Sequence, residues 1–144
     1  MQITAHQMEF RLINPFTLSY GATMSRKNVL VQVTDGDTTG VGEAAVVPYM
    51  GETPERVLDL LHDPTLLRAL DGDIFHLEDI LDRLPEMAST SARAAVDMAL
   101  HDLWGQRLDQ PLFRLWGVNP ARSPQSSFTV AMSNDDVDFR ERLR

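Results

Sequence analysis

Apolar positions in this chain change their period part-way along. Over Gln2 to Leu12, Asn28 to Thr34 and Thr38 to Val46 the residues read as strands, and Asp35-Gly36 between the second and third is a strong two-residue hairpin signal. A three-stranded antiparallel meander is the expectation. From Thr53 onward the spacing turns helical: Thr53 suits an N-cap, Pro54 a first helical position, and Val57, Leu58 and Leu61 form one apolar face. Further helices are expected over Ile74 to Leu84 and Ser89 to Arg107.

The last of these helices carries the most information. Ala92, Ala95, Val96, Ala99, Leu100 and Leu103 fall on one helical stripe, and most of that stripe is methyl-sized, so a neighbouring element can approach the backbone closely. Ser89, Thr90 and Ser91 offer hydroxyls to the unpaired N–H groups at the start. Pro111 is placed to open a second short helix, with Leu108, Asp109 and Gln110 turning the chain between them. Asp tolerates a left-handed turn better than most residues.

Composition narrows the class. With 144 residues and 43% hydrophobic content, the chain can bury one core. No apolar run approaches the ~20 residues of a membrane span, and Met1-Gln2-Ile3-Thr4 lacks a signal-peptide profile, so a cytoplasmic setting is the default expectation. The absence of cysteine excludes disulfides and thiolate metal sites. A net charge of −8 argues against nucleic-acid partners.

The run from Ala92 to Gly117 resembles the N-terminal region of the mandelate racemase and muconate lactonizing enzyme group of the enolase superfamily. Ala92, Ala94, Ala95, Asp97, Ala99, Asp102, Gly105, Pro111, Leu112, Leu115 and Gly117 match that pattern in order, with Trp116 and Asp109 as departures. The resemblance implies an α+β, enolase-like N-terminal capping domain over residues 1–117, a meander followed by a helical bundle. A Pro-containing linker over 118–125 follows, then the first βα unit of a truncated (β/α) barrel over 126–144. In that last part Ser127 to Met132 reads as a strand, and Asn134 can cap a helix carrying Val137, Phe139, Arg140 and Leu143. A whole barrel needs roughly 250 residues, so the expectation is an N-terminal piece of a longer enzyme, inactive alone.

Members of the superfamily abstract a proton α to a carboxylate with Mg²⁺ and a Lys or His base. The resemblance places those bases and the acidic metal ligands at barrel strand ends, so no catalytic or metal residue is assigned in this chain. Its residues agree: Lys27 is the one lysine, and His6, His62, His76 and His101 show no metal-binding spacing. Asp35-Gly36-Asp37 lacks the rest of a calcium loop, Gly40-Val41-Gly42-Glu43 is no phosphate loop, and neighbouring His101 and Asp102 point apart on a helix.

What the resemblance does assign is a lid. Two loops fold over the barrel mouth and select the substrate: here Phe16 to Met24, with Phe16, Tyr20, Gly21 and Met24, and Val47 to Glu52, with Tyr49, Met50 and Gly51. The nearest likeness is to dipeptide epimerases. Gly21 stands where members acting on acidic dipeptides can carry Arg, which points to a neutral or hydrophobic dipeptide. Muconate cycloisomerase and o-succinylbenzoate synthase parents share the cap, and a non-catalytic cap that oligomerises through Phe128 to Leu143 is the alternative of another class. The implied partners are the barrel domain, a small carboxylate or dipeptide, and further copies of the chain.

Overall fold

A computed structural model of the chain describes residues 1–18, 21–127, 129 and 139–140. Three strands, β1 (Gln2–Leu18), β2 (Gly21–Asp35) and β3 (Thr38–Ala44), form an antiparallel sheet in the order β1-β2-β3. The helices follow: α1 (Pro54–Leu61), α2 (Pro64–Ala69), α3 (Leu77–Arg83), α4 (Thr90–Arg107) and the single-turn α5 (Leu112–Leu115), with 3₁₀ turns at Pro48–Met50, Ile74–His76 and Pro120–Arg122. Among the described residues no helix is long and apolar enough to cross a membrane.

Strand alternation sorts the sheet into two faces. Val29, Val31 and Val33 of β2 and Ala44 of β3 are fully buried and meet the helices, as period-two alternation requires. The expected α4 stripe closes the other side of this core: Ala92, Ala95, Val96, Ala99, Leu100 and Leu103 are all fully buried. Methyl-sized residues on α4 meet glycines on β3. A Cβ added at Gly40 would collide with the Ala99 carbonyl, and one at Gly42 with that of Ala95. The helix therefore lies directly on the strand backbone, and only glycine fits beneath it.

Local signals hold at most of the boundaries. The β2–β3 hairpin pairs Asp35 with Thr38 across Gly36, whose φ of +58° needs no Cβ penalty. Thr53 accepts the Arg56 N–H at 3.3 Å as the N-cap of α1, and Ser89 Oγ accepts the Ala92 N–H at 3.1 Å as that of α4. Asp109 takes the left-handed turn at φ 50°. Pro111 sits one place earlier than expected: it is the extended N-cap residue, and α5 starts at Leu112.

Two expected strands run further than their apolar pattern. β1 continues past Leu12 and β2 begins before Asn28, so Phe16–Leu18 and Gly21–Thr23, expected as loop, are a paired ladder ending with Leu18 opposite Gly21. Pro15 has no N–H to give the ladder. The sheet absorbs it in a register shift: Arg11 pairs with Ser25 and Phe16 with Thr23, so Leu12 to Pro15 face Met24 alone. Ile13, at 99% exposure, is pushed out of the sheet there. The third strand, by contrast, stops at Ala44 rather than Val46. Of the expected barrel unit, the strand residues Phe128 and Val130 to Met132 and most of the following helix lie outside the described residues.

Candidate functional site

Antiparallel order fixes where the two segments expected to form a lid stand. The β1–β2 end of the hairpin and the C-terminal end of β3 lie at the same end of the sheet, so Phe16, Gly21 and Met24 share that end with Tyr49, Met50 and Gly51. Tyr20 lies outside the described residues. Met24 is 62%, Tyr49 85% and Met50 64% exposed. Phe16 is half-buried.

Glu52 holds the second segment in shape. Its Oε2 accepts the Val47 N–H at 3.1 Å, while Oε1 accepts the Ser89 hydroxyl at 2.5 Å and the Ser91 N–H at 3.4 Å. One carboxylate thus ties the chain after β3 to the N-terminus of α4, where it also meets the positive end of the helix dipole. The 3₁₀ turn closes on itself, with Met50 N–H donating to the Val47 carbonyl at 3.0 Å and Gly51 taking φ +77°. Burial pushes the Glu52 carboxyl up, but hydrogen bonds from Ser89, Ser91 and Val47 outweigh it and hold its pKa below the ordinary value. In sequence Glu52 is simply the last residue of the second loop. Its partners Ser89 and Ser91 lie far along the chain, so no local spacing could reveal them.

A cavity of about 310 Å³ opens between the second segment and β2, lined by Arg26, Asn28, Ala45, Val46, Val47, Pro48 and Tyr49. Even-numbered Arg26 and Asn28 lie on the face of β2 opposite Val29, Val31 and Val33. Asn28 Nδ2 donates to Glu43 Oε1 at 2.5 Å.

Toward the other end of α4 lies a larger cavity of about 600 Å³. Its walls include Phe75, Trp104 and Trp116 and bring together His76, His101, Glu78 and Asp79. His101 Nδ1 is 2.8 Å from Asp97 Oδ1, and its ring meets the Trp116 ring edge-on at 5.3 Å. Sequence spacing kept His76 and His101 apart; the turn before α3 brings them to one wall. Asp102 points elsewhere, accepting the Val41 N–H at 2.8 Å.

No constellation for bond-making chemistry forms among the described residues. No three His, Asp or Glu come together to hold a metal ion there. Lys27 is exposed and stands opposite Glu9 across the β1–β2 ladder, and His62 Nδ1 sits 2.7 Å from the Leu58 carbonyl.

Residues 2–117 match the family described as the mandelate racemase / muconate lactonizing enzyme N-terminal domain. An L-Ala-D/L-Glu epimerase of Bacteroides thetaiotaomicron is 37% identical over 139 residues, covering 95% of this chain and 36% of its own length. A chloromuconate cycloisomerase of Delftia acidovorans is 30% identical over 90% of this chain and 36% of its own. Among solved structures, the dipeptide epimerase of Methylococcus capsulatus, complexed with Mg and the dipeptide L-Arg-D-Lys, superposes with a TM-score of 0.70 at 32% identity, over 81% of this chain and 34% of that one. The chain thus spans little more than a third of the length of the curated relatives it matches.

Proposed function

Because the chain belongs to the mandelate racemase / muconate lactonizing enzyme family of the enolase superfamily, we propose that it is the substrate-capping domain of a dipeptide epimerase. Residues 1–117 form the cap, 118–125 the connection, and 126–144 the start of the barrel. The likeness that carries this reading is to the Bacteroides thetaiotaomicron epimerase, at 37% identity over 95% of this chain.

The division of labour follows from the residues present. Mg²⁺ is named with the Methylococcus capsulatus neighbour, but the described residues here bring no matching set of donors together. On this reading the metal and the proton-moving groups belong to the barrel domain, as the resemblance implies. This domain's share is to bind and orient the substrate and to exclude water. The hairpin end with Phe16, Gly21 and Met24 and the segment with Tyr49, Met50 and Gly51 supply the apolar cover. Glu52 holds the second segment rigid, so that closing orders few new groups. A cycloisomerase is the second reading, favoured by the 30% identity to the Delftia acidovorans enzyme.

The test uses the native gene product that carries this domain, with Mg²⁺ in D₂O and a panel of L,L-dipeptides, followed by NMR. Deuterium entry at an α-carbon with formation of the second diastereomer is the expected result. Turnover of muconate without any dipeptide exchange would favour the cycloisomerase. The 144-residue chain alone, with Mg²⁺, is expected to give no exchange.

A further inference from the structure

The segment from Val47 to Glu52 is hydrogen-bonded to the rest of the fold through one carboxylate. Inside the segment the bonds close on themselves. The Val47 carbonyl accepts from the Met50 and Glu52 N–H groups at 3.0 and 3.4 Å, the Pro48 carbonyl from Gly51 at 3.0 Å, and Glu52 Oε2 from the Val47 N–H at 3.1 Å. Among the described residues, the hydrogen bonds that leave the segment are those that Glu52 Oε1 accepts from the Ser89 hydroxyl and the Ser91 N–H. Pro48, Tyr49, Met50 and Gly51 are exposed, so packing does not anchor them. Toward β2 the segment is undercut by the cavity that Arg26 and Asn28 line. Glu52 and Ser89, in contrast, are both buried. A buried carboxylate is a costly anchor, because burial penalises its charge. What it gains over an apolar side chain is direction: charge-assisted bonds to both of its oxygens fix the turn in orientation as well as in distance. Tyr49 and Met50 are thereby registered to the start of α4 rather than to β3, the strand from which the chain arrives.

We propose that Glu52 is a positioning residue for the reaction: by bonding Val47 to the start of α4, it sets where Tyr49 and Met50 meet the substrate. This rests on the capping reading above and adds to it the residue through which the cover is aimed. Glu52 touches no substrate itself, since both of its oxygens are engaged inside the fold. Without its clasp, Tyr49 and Met50 have to be ordered at each binding event, which for two side chains weakens binding about tenfold. The ground state and the transition state need the same cover, so the loss falls on KM and leaves kcat in place.

The experiment measures kcat and KM of the native full-length protein on the L,L-dipeptide it epimerises fastest, or on muconate if that is what it turns over. Glu52→Gln keeps the shape of the side chain but turns an N–H donor toward one of the donors it held. It is expected to raise KM about tenfold with kcat within about twofold of wild type. Ser89→Ala removes one of the two bonds to α4 and is expected to raise KM about threefold; it carries the test if Glu52→Gln does not fold. Asp102→Ala, a destabilising change toward the other end of α4, is expected to keep the wild-type KM. Hydrogen–deuterium exchange of the peptide spanning 47–52 should run about tenfold faster in Glu52→Gln and unchanged in Asp102→Ala. A wild-type KM in the folded Glu52 and Ser89 variants, a loss confined to kcat, or an equal rise in KM with Asp102→Ala overturns the positioning role while leaving the capping reading intact. If wild type turns over neither dipeptide nor muconate, the capping reading falls and this role with it.

Discussion

Asp102 of α4 reaches across to the open edge of β3, where its Oδ2 accepts the Val41 N–H at 2.8 Å. Gln106, one turn on, completes the clasp: its Nε2 donates to Asp102 Oδ2 at 2.9 Å and to the Thr39 carbonyl at 3.0 Å. An edge strand otherwise presents a row of unpaired backbone groups. Here the helix that packs on the strand also satisfies its free side.

Asp102→Ala leaves the Val41 N–H without this acceptor, and a loss of about 1–3 kcal/mol is expected. Urea denaturation checks it. Asp102→Asn, which keeps an acceptor oxygen, should lose less; equal losses would show that the acceptor is not what matters.

Gly42→Ala tests the contact between helix and strand. The added methyl meets the Ala95 carbonyl, a rigid backbone atom, so the cost is expected at about 3 kcal/mol or above. Gly51→Ala has open space around it and only its φ of +77° against it, which predicts a loss of about 1 kcal/mol. Thermal melts of the two variants should therefore rank clearly, with Gly42→Ala far lower.

Glu52 sets part of the acid stability. Its folded pKa lies below the ordinary value of 4.5, so its contribution is fully present above about that pH and is lost as pH falls through the lowered folded value. Unfolding free energies of wild type and Glu52→Gln measured from pH 7 down to pH 3 should differ most at the upper end and converge at the lower. A constant gap would mean that the charge of Glu52 contributes nothing.

Ser89 both caps α4 and donates to Glu52. Ser89→Ala should cost about 1–2 kcal/mol, and the double variant with Glu52→Gln should cost less than the two singles added together. Strict additivity would show that the hydroxyl and the carboxylate act separately.

What could be foreseen in this chain was set by near neighbours. The α4 stripe, the Thr53-Pro54 start, the Asp35-Gly36 hairpin and the left-handed Asp109 each depend on a few adjacent residues, and each stands where the pattern put it. The outer half of the β1–β2 ladder did not show, because past Ala44 no third strand lies beside β2 among the described residues and burial no longer imprints an apolar alternation. The site was legible as two segments but not as a mechanism. Glu52 meets Ser89, and Arg26 and Tyr49 come to line one cavity, only after the sheet and α4 have brought distant stretches together.

The register shift at Leu12 to Pro15 acts as an expansion joint between two parts of one hairpin. On its inner side, pairs such as Gln7 with Val29 and Ile3 with Val33 fix which side chains of β2 enter the core. On its outer side, Phe16 to Leu18 and Gly21 to Thr23 are paired by a separate alignment. Residues gained or lost in the outer arm of β1 can be taken up in the joint without turning Val29, Val31 and Val33 away from the helices. The hairpin end is thus free to diversify while the part of the sheet that packs on the helices stays in phase.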